Sequence, residues 1–329
     1  MIGLAWHPCR RIWVWSLILL LPLLLLGLSV CVGSSGVGVA ALWGQHADAA
    51  LTRDVIWQLR LPRSLSALAV GGLLALAGVL QQVLLRNPLA DPYVLGTSGG
   101  AGVGALLAML LGAGTAMVSL AAGGGAWIST VLVFVLARND HSTQRTRLLL
   151  TGVAVASFAS ALIALILSIA PDGILRGMIF WMLGDLAGAD WHYALPGLLA
   201  LLALVWPWLR DIDMLAQGEA RAHALGVSVR QMHWLLYTVS AMATALAVTT
   251  AGAVGFVGLI VPHALRLLLG SSLRQLLPAS VLCGGAVLLA ADIVARTAFA
   301  PQQLPVGVVM AICGVPAFLY LLARFQGRR

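Results

Sequence analysis

An all-α bundle that crosses a membrane many times is what this sequence predicts, and three observations predict it. Hydrophobic residues make up 61% of the 329-residue chain and charged residues only 9%, against roughly 25% charged in an average soluble protein. Mean hydropathy is +0.99. The apolar residues gather into ten stretches of a length suited to helices crossing about 30 Å of hydrocarbon. So few charges cannot make a water-facing surface, which excludes a soluble enzyme, a disordered chain and a nucleic-acid binder. The chain reads as one transmembrane domain over residues 1–329.

The first stretch, residues 12–32, follows Arg10 and Arg11. Its apolar core is too long for a secretory leader and no small-residue cleavage site closes it, so it reads as a retained helix that starts inside. The others cover residues 64–85, 94–111, 116–137, 148–170, 193–209, 232–251, 254–269, 276–298 and 306–323. Residues 254–269 are short, glycine-rich and carry Pro262 and His263, which suits a broken or re-entrant helix. Three longer polar connections remain, over residues 33–61, 171–191 and 211–231. The second contains "GILRGMIFWMLGDL", which fits a short surface helix. The third, "DIDMLAQGEARAHALGVSVRQ", holds the one glutamate, Glu219, and two glycines that can each end a short helix. A plain link between two helices needs only about 2–8 residues, so this loop has work of its own.

The charges orient the bundle. All 19 basic residues are arginine. With ten crossings, fourteen arginines fall on the side of both termini. Five fall opposite: Arg53, Arg60, Arg63, Arg176 and Arg296. Arginine and lysine accumulate in cytoplasmic loops, which puts both termini in the cytoplasm. Asp292 is the one carboxylate inside a stretch, with Arg296 four residues on along the same helical face. A row of buried acids, the mark of a proton- or sodium-driven carrier, is missing. Gly96, Gly100 and Gly104 recur at fours, and Gly71, Gly78, Gly258, Gly284 and Gly285 lie within other stretches. Small residues so placed let helix backbones meet in lipid. Cys9, Cys31, Cys283 and Cys313 stand singly, with no metal-binding or disulfide spacing. His46, His192, His223 and His233 form no pattern, and His263 in "PHALR" reads as a hydrogen-bonded structural residue.

Five motifs occur in order: "RLPRSLSALAVGGLLALAGVLQQVLLRNPLADPYVLGTSGGAGVGA", "MLAQGEARAHALGV", "AGAVGFVGLIVPHALRLLLG", "LLPASVLCGGAVLLAADIVAR" and "LPVGVVMAICGVPAFLYLL". Together they resemble the permease subunits of bacterial ABC importers for iron–siderophores, haem and vitamin B12, the FecCD-type or type II importers. The likeness to the vitamin B12 permeases is closest at "FWMLGDLAGADW". The resemblance implies ten helices in an inverted repeat of helices 2–5 and 7–10. It implies a homodimer in the bacterial inner membrane, two ATP-binding cassette subunits and a periplasmic substrate-binding protein. No cofactor is expected in this chain. ATP and Mg belong on the partner ATPase subunits, and this chain has no GxxxxGK[ST] phosphate loop. It is therefore not expected to be an enzyme.

Residue roles follow from the same resemblance. Arg60, Arg63 and Arg296 correspond to arginines that dock carboxylates of the binding protein, a task suited to a planar guanidinium. Headgroup anchoring is the plainer reading of the three. Asn87 and Leu89 in "RNPLADP" correspond to a cytoplasmic gate. Arg145 and Thr146 occupy its second part, where the vitamin B12 permeases have small hydroxyl residues. Gly218, Glu219, Arg221, Ala224, Leu225 and Gly226 match the loop that couples to the ATPase. Ser157, Ser160 and Ser168 are candidates for the path wall, and Arg176 for attracting an anionic cargo group. The expected cargo is a large metal chelate: haem, cobalamin or an Fe(III)–siderophore. The alternative is an ion-gradient-driven secondary transporter or channel.

Overall fold

A computed structural model describes residues 8–33, 47–137 and 144–326, and the described residues contain helices and turns without strands. Among the described residues, eight helical runs are long and apolar enough to cross a membrane. They are built from α1 (Pro8–Cys31), α2 with α3 (Ala47–Asp54 and Leu61–Leu84), α5 (Thr115–Ala137), α6 (Gln144–Ile169), α8 with α9 (Trp191–Val205 and Leu209–Gln217), α11 (Val229–Ala251), α13 (Leu273–Thr297) and α14 (Val306–Gln326). Between them lie α4 (Thr97–Leu110), α7 (Asp172–Met182), α10 (Glu219–Ala224) and α12 (Val257–Leu269).

Helix α3 is the axis of the bundle. It touches α8, α11, α12 and α13, and 94% of its apolar window is buried, against 22% for α6 and for α14. Its sequence explains the position. Gly71 meets the backbone of Gly284 on α13, and Gly78 meets that of Gly258 on α12. A Cβ at either glycine would strike the facing carbonyl, so the backbones approach as apolar side chains would not allow. Leu73, Leu74, Leu76 and Leu80 fill the space around these contacts and are fully buried. Among the glycines spaced by four, Gly100 and Gly104 form the seam of α4 with α5, against Gly125 and Ala121. Gly96 does something else. With φ at 73° it turns the chain out of the 3-10 segment Pro92–Leu95 and starts α4.

Several expected boundaries shift. Within the connection over residues 33–61, the described part from Ala47 is helical and runs into α3 through a π-helical turn, Val55–Arg60. Pro62 cannot donate to an upstream carbonyl, and the wider turn lies just ahead of it. Residues 94–111 give only the 14-residue α4, because Pro92 and left-handed Gly96 delay its start. Residues 254–269 give the 13-residue α12, preceded by the turn at Gly252 and by left-handed Phe256. The surface helix expected within residues 171–191 is α7. The loop over residues 211–231 contains two short helices as expected, and α9 also continues α8 through the 3-10 turn Trp206–Trp208.

Candidate functional site

Most of the site residues expected from the sequence lie at the two ends of the bundle. At one end the N-terminal turn of α3 meets the C-terminal turns of α1 and α13. Arg63 donates from Nε to Asp292 Oδ1 at 2.8 Å, and its Nη2 lies 2.8 Å from the same oxygen. Its Nη1 donates to Gln303 Oε1 at 2.6 Å. Arg296 Nε lies 3.0 Å from Asp292 Oδ2, one helical turn away. It also donates from Nη2 to the Ser29 hydroxyl of α1. Arg60 donates to the Val30 and Cys31 carbonyls that end α1, at 2.9 and 3.2 Å. Asp185, in the turn after α7, stands 3.9 Å from Arg63.

All three arginines expected at a docking surface are thus buried, at 4%, 8% and 3% exposure for Arg60, Arg63 and Arg296. Their guanidinium groups hold helix ends together. Asp292 is completely buried and is the ionic centre of the group. The Asp292–Arg296 spacing was visible in the sequence; the pairing of Asp292 with Arg63, 229 positions away, was not. Arg176 on α7 is exposed and lies over the Phe180 ring at 5.5 Å. On α6, Ser157, Ser160 and Ser168 are all exposed. Ser160 and Ser168 return their hydroxyls to their own helix, to the Ala156 and Leu165 carbonyls.

At the other end α3 stops at Leu84. Arg86 takes a φ of 46°, costly for a residue with a side chain. Asn87 then accepts the Leu89 N–H at 3.0 Å and closes a tight turn ahead of Pro92. Leu89 is half-buried. Asp91 accepts the Tyr93 N–H at 2.8 Å and starts the 3-10 segment. Burial pushes the Asp91 carboxyl up to about 6, only partly opposed by that hydrogen bond. Tyr93 in turn accepts the Val254 N–H at 3.1 Å and so ties this segment to the approach to α12.

The two short helices of the 211–231 loop lie against this turn. Gly218, at φ 141°, ends α9, and Gly226, at φ 83°, follows α10. Ala222 is buried, whereas Arg221, Ala224, Leu225 and Gly226 are exposed. Leu225 is an apolar side chain with 58% of its surface uncovered. Glu219 lies 3.4 Å from Arg86 and 3.8 Å from His233. The sequence did not reveal this link between α10 and the Arg86–Asp91 turn. Arg145 and Thr146 fall in the first turn of α6, with side chains outside the described residues. A cavity of about 500 Å³ opens beside the turn, between α3, α9, α12 and the start of α13.

Comparison with known proteins gives this geometry a context. The chain is 40% identical over 324 residues to the vitamin B12 import system permease protein BtuC of Vibrio cholerae, covering 97% of this chain and 96% of that one. It is also 40% identical to the protein of the same name from Klebsiella pneumoniae, over 97% and 95% of the two chains. A solved inward-facing structure ascribed to a metal-chelate type ABC transporter superposes with a TM-score of 0.84 at 30% identity, covering 93% of this chain and 97% of the other. PsaBC from Streptococcus pneumoniae, at 18% identity and a TM-score of 0.57, shares the fold over 83% of this chain and 94% of its own. Residues 19–324 match the FecCD transport family, and the chain belongs to it.

Proposed function

We propose that this chain is the permease subunit of an ATP-driven ABC importer that carries a large metal chelate, of the haem, cobalamin or Fe(III)–siderophore class, across the bacterial inner membrane. The observation that carries this reading is the α9–α10 pair. It presents an exposed Leu225 and Arg221 at one end of the bundle while Glu219 holds Arg86 beside the Asn87–Leu89 turn. A partner that grips α10 can pull on that turn. Two ATP-binding cassette subunits with ATP and Mg are the partners assigned here, and this chain supplies no catalytic group.

Ten crossings come from the eight long runs together with the short α4 and α12. The two short helices are each the second member of a quartet, α3–α6 and α11–α14, and each begins at a left-handed residue, Gly96 or Phe256. Interrupted helices at matching positions support an inverted repeat of helices 2–5 and 7–10. Both termini then lie in the cytoplasm with α10. The exposed faces of α6 and α14 suit a homodimer whose twofold axis carries the path, with Ser157, Ser160 and Ser168 on its wall. Asn87 and Leu89, with Arg145 and Thr146, form the cytoplasmic gate. The Arg60–Arg63–Arg296 group carries more positive than negative charge, and a periplasmic binding protein docks above it through carboxylates.

Reconstitution tests the reading. Proteoliposomes holding the chain with its ATPase subunits should take up binding-protein-delivered chelate only with ATP. Uptake by the lone chain under an ion gradient would overturn it.

A further inference from the structure

We propose that the cavity at the Arg86 end is a site for the phosphate of an anionic phospholipid headgroup, held chiefly by Arg266. The cavity, about 500 Å³, is lined by Arg86, Arg266, Gln217, Ser271 and Ser272 among others. That volume suits a small ligand, and the lining is rich in hydrogen-bond donors. Its one carboxylate, Asp213, already accepts the Leu273 N–H at the start of α13, at 2.9 Å. Arg86 is paired with Glu219. Arg266 is different: its Nε is buried with no hydrogen-bond partner, and no carboxylate among the described residues forms an ion pair with it. Ser272 precedes α13 yet makes no side-chain capping bond. A guanidinium whose charge is left uncompensated beside a cavity calls for an anion, and its planar fork suits phosphate.

The apolar surroundings select the source of that phosphate. Leu267 and Leu268 follow Arg266 on α12 and are 46% and 49% exposed. They lie on other faces of α12 than Arg266 and outside the cavity lining, yet they set this end of the helix in apolar surroundings, which the acyl chains of a lipid whose phosphate reaches Arg266 can cover and a free phosphate cannot. Basic pockets between transmembrane helices are suited to anionic headgroups. The site does not depend on the transport reading, since it requires only the bundle and a bilayer.

Native mass spectrometry of the full chain tests it, with phosphatidylglycerol and phosphatidylethanolamine of matched acyl chains as probes. The unaltered chain should retain phosphatidylglycerol about tenfold more strongly, the scale expected for a charge-assisted hydrogen bond. Arg266→Gln should abolish that preference, and Arg210→Gln, a charge change outside the cavity lining, should leave it intact. Arg266→Lys keeps the charge without the fork and should weaken retention severalfold; it decides the question should Arg266→Gln fail to fold. Equal retention of the two lipids, or unchanged preference in both Arg266 variants, would overturn the proposal. So would competition by inorganic phosphate alone as strong as by the lipid, which marks a free-anion site. Expulsion of the lipid when an ATPase subunit binds would assign the cavity to that partner instead.

Discussion

Asp292 shows how far one side chain can organise a bundle. It is fully buried and faces both Arg63 and Arg296. Removing one partner of a buried ionic group leaves the other charge uncompensated, at a cost of about 3–5 kcal/mol. Asp292→Ala should therefore lower the melting temperature markedly in detergent, whereas Arg176→Ala, on the exposed face of α7, should change it little. Asp91 provides the opposite case. Its carboxyl is raised from 3.8 to about 6, so the folded state holds its proton more tightly than the unfolded state does. The penalty for burying the ionised form is absent below pH 3.8, grows between 3.8 and 6 and is complete above. Asp91→Asn keeps an acceptor for the Tyr93 N–H. It should stabilise the protein by about 3 kcal/mol at pH 7 and by well under 1 kcal/mol at pH 4, as read from melting curves at the two values. Neither effect was legible in the sequence. "RNPLADP" announces a turn, and "ADIVAR" a helical ion pair, but burial and a partner 229 positions away are properties of the tertiary structure.

At the scale of elements, hydropathy and glycine punctuation carried most of the information. The runs that became α5, α6, α11 and α13 are apolar over more than 18 residues, and no local chemistry competes with helix there. Gly218 and Gly226 marked the ends of α9 and α10 because each adopts a positive φ. What escaped was helical structure in polar dress. Residues 47–60 looked like a loop, yet they continue α3 upstream and expose Trp57 and Leu59. The α9–α10 pair, proposed above to couple to the ATPase, yields a prediction at this level. Leu225→Asp should leave expression and melting temperature unchanged, since the side chain is exposed, yet reduce copurification of the ATPase subunit at least tenfold. A hot-spot apolar contact of 2 kcal/mol or more has that effect.

Across the whole molecule, uneven burial is the informative quantity. Helix α3 is enclosed, whereas α6 and α14 each leave most of their apolar window uncovered. Lipid can cover such faces, and so can a second copy of the chain. Single cysteines at Ser160 on α6 should form a cross-linked dimer in membranes under mild oxidation, if the twofold axis runs along that face. Cysteines at Leu17 on α1, exposed by 67%, should not. Bands at monomer mass for both variants would remove α6 from the dimer contact.

The bare backbone contacts along α3 have a mechanical consequence. Where Gly71 and Gly78 rest on neighbouring peptide groups, no side-chain layer exists to flex or repack. Backbone contact at both glycines favours α3, α12 and α13 moving together as a stiff unit. Hinges for a change between inward and outward access are then expected at the periphery, at the π-helical turn before Leu61, at left-handed Phe256 or at Arg86 with its positive φ.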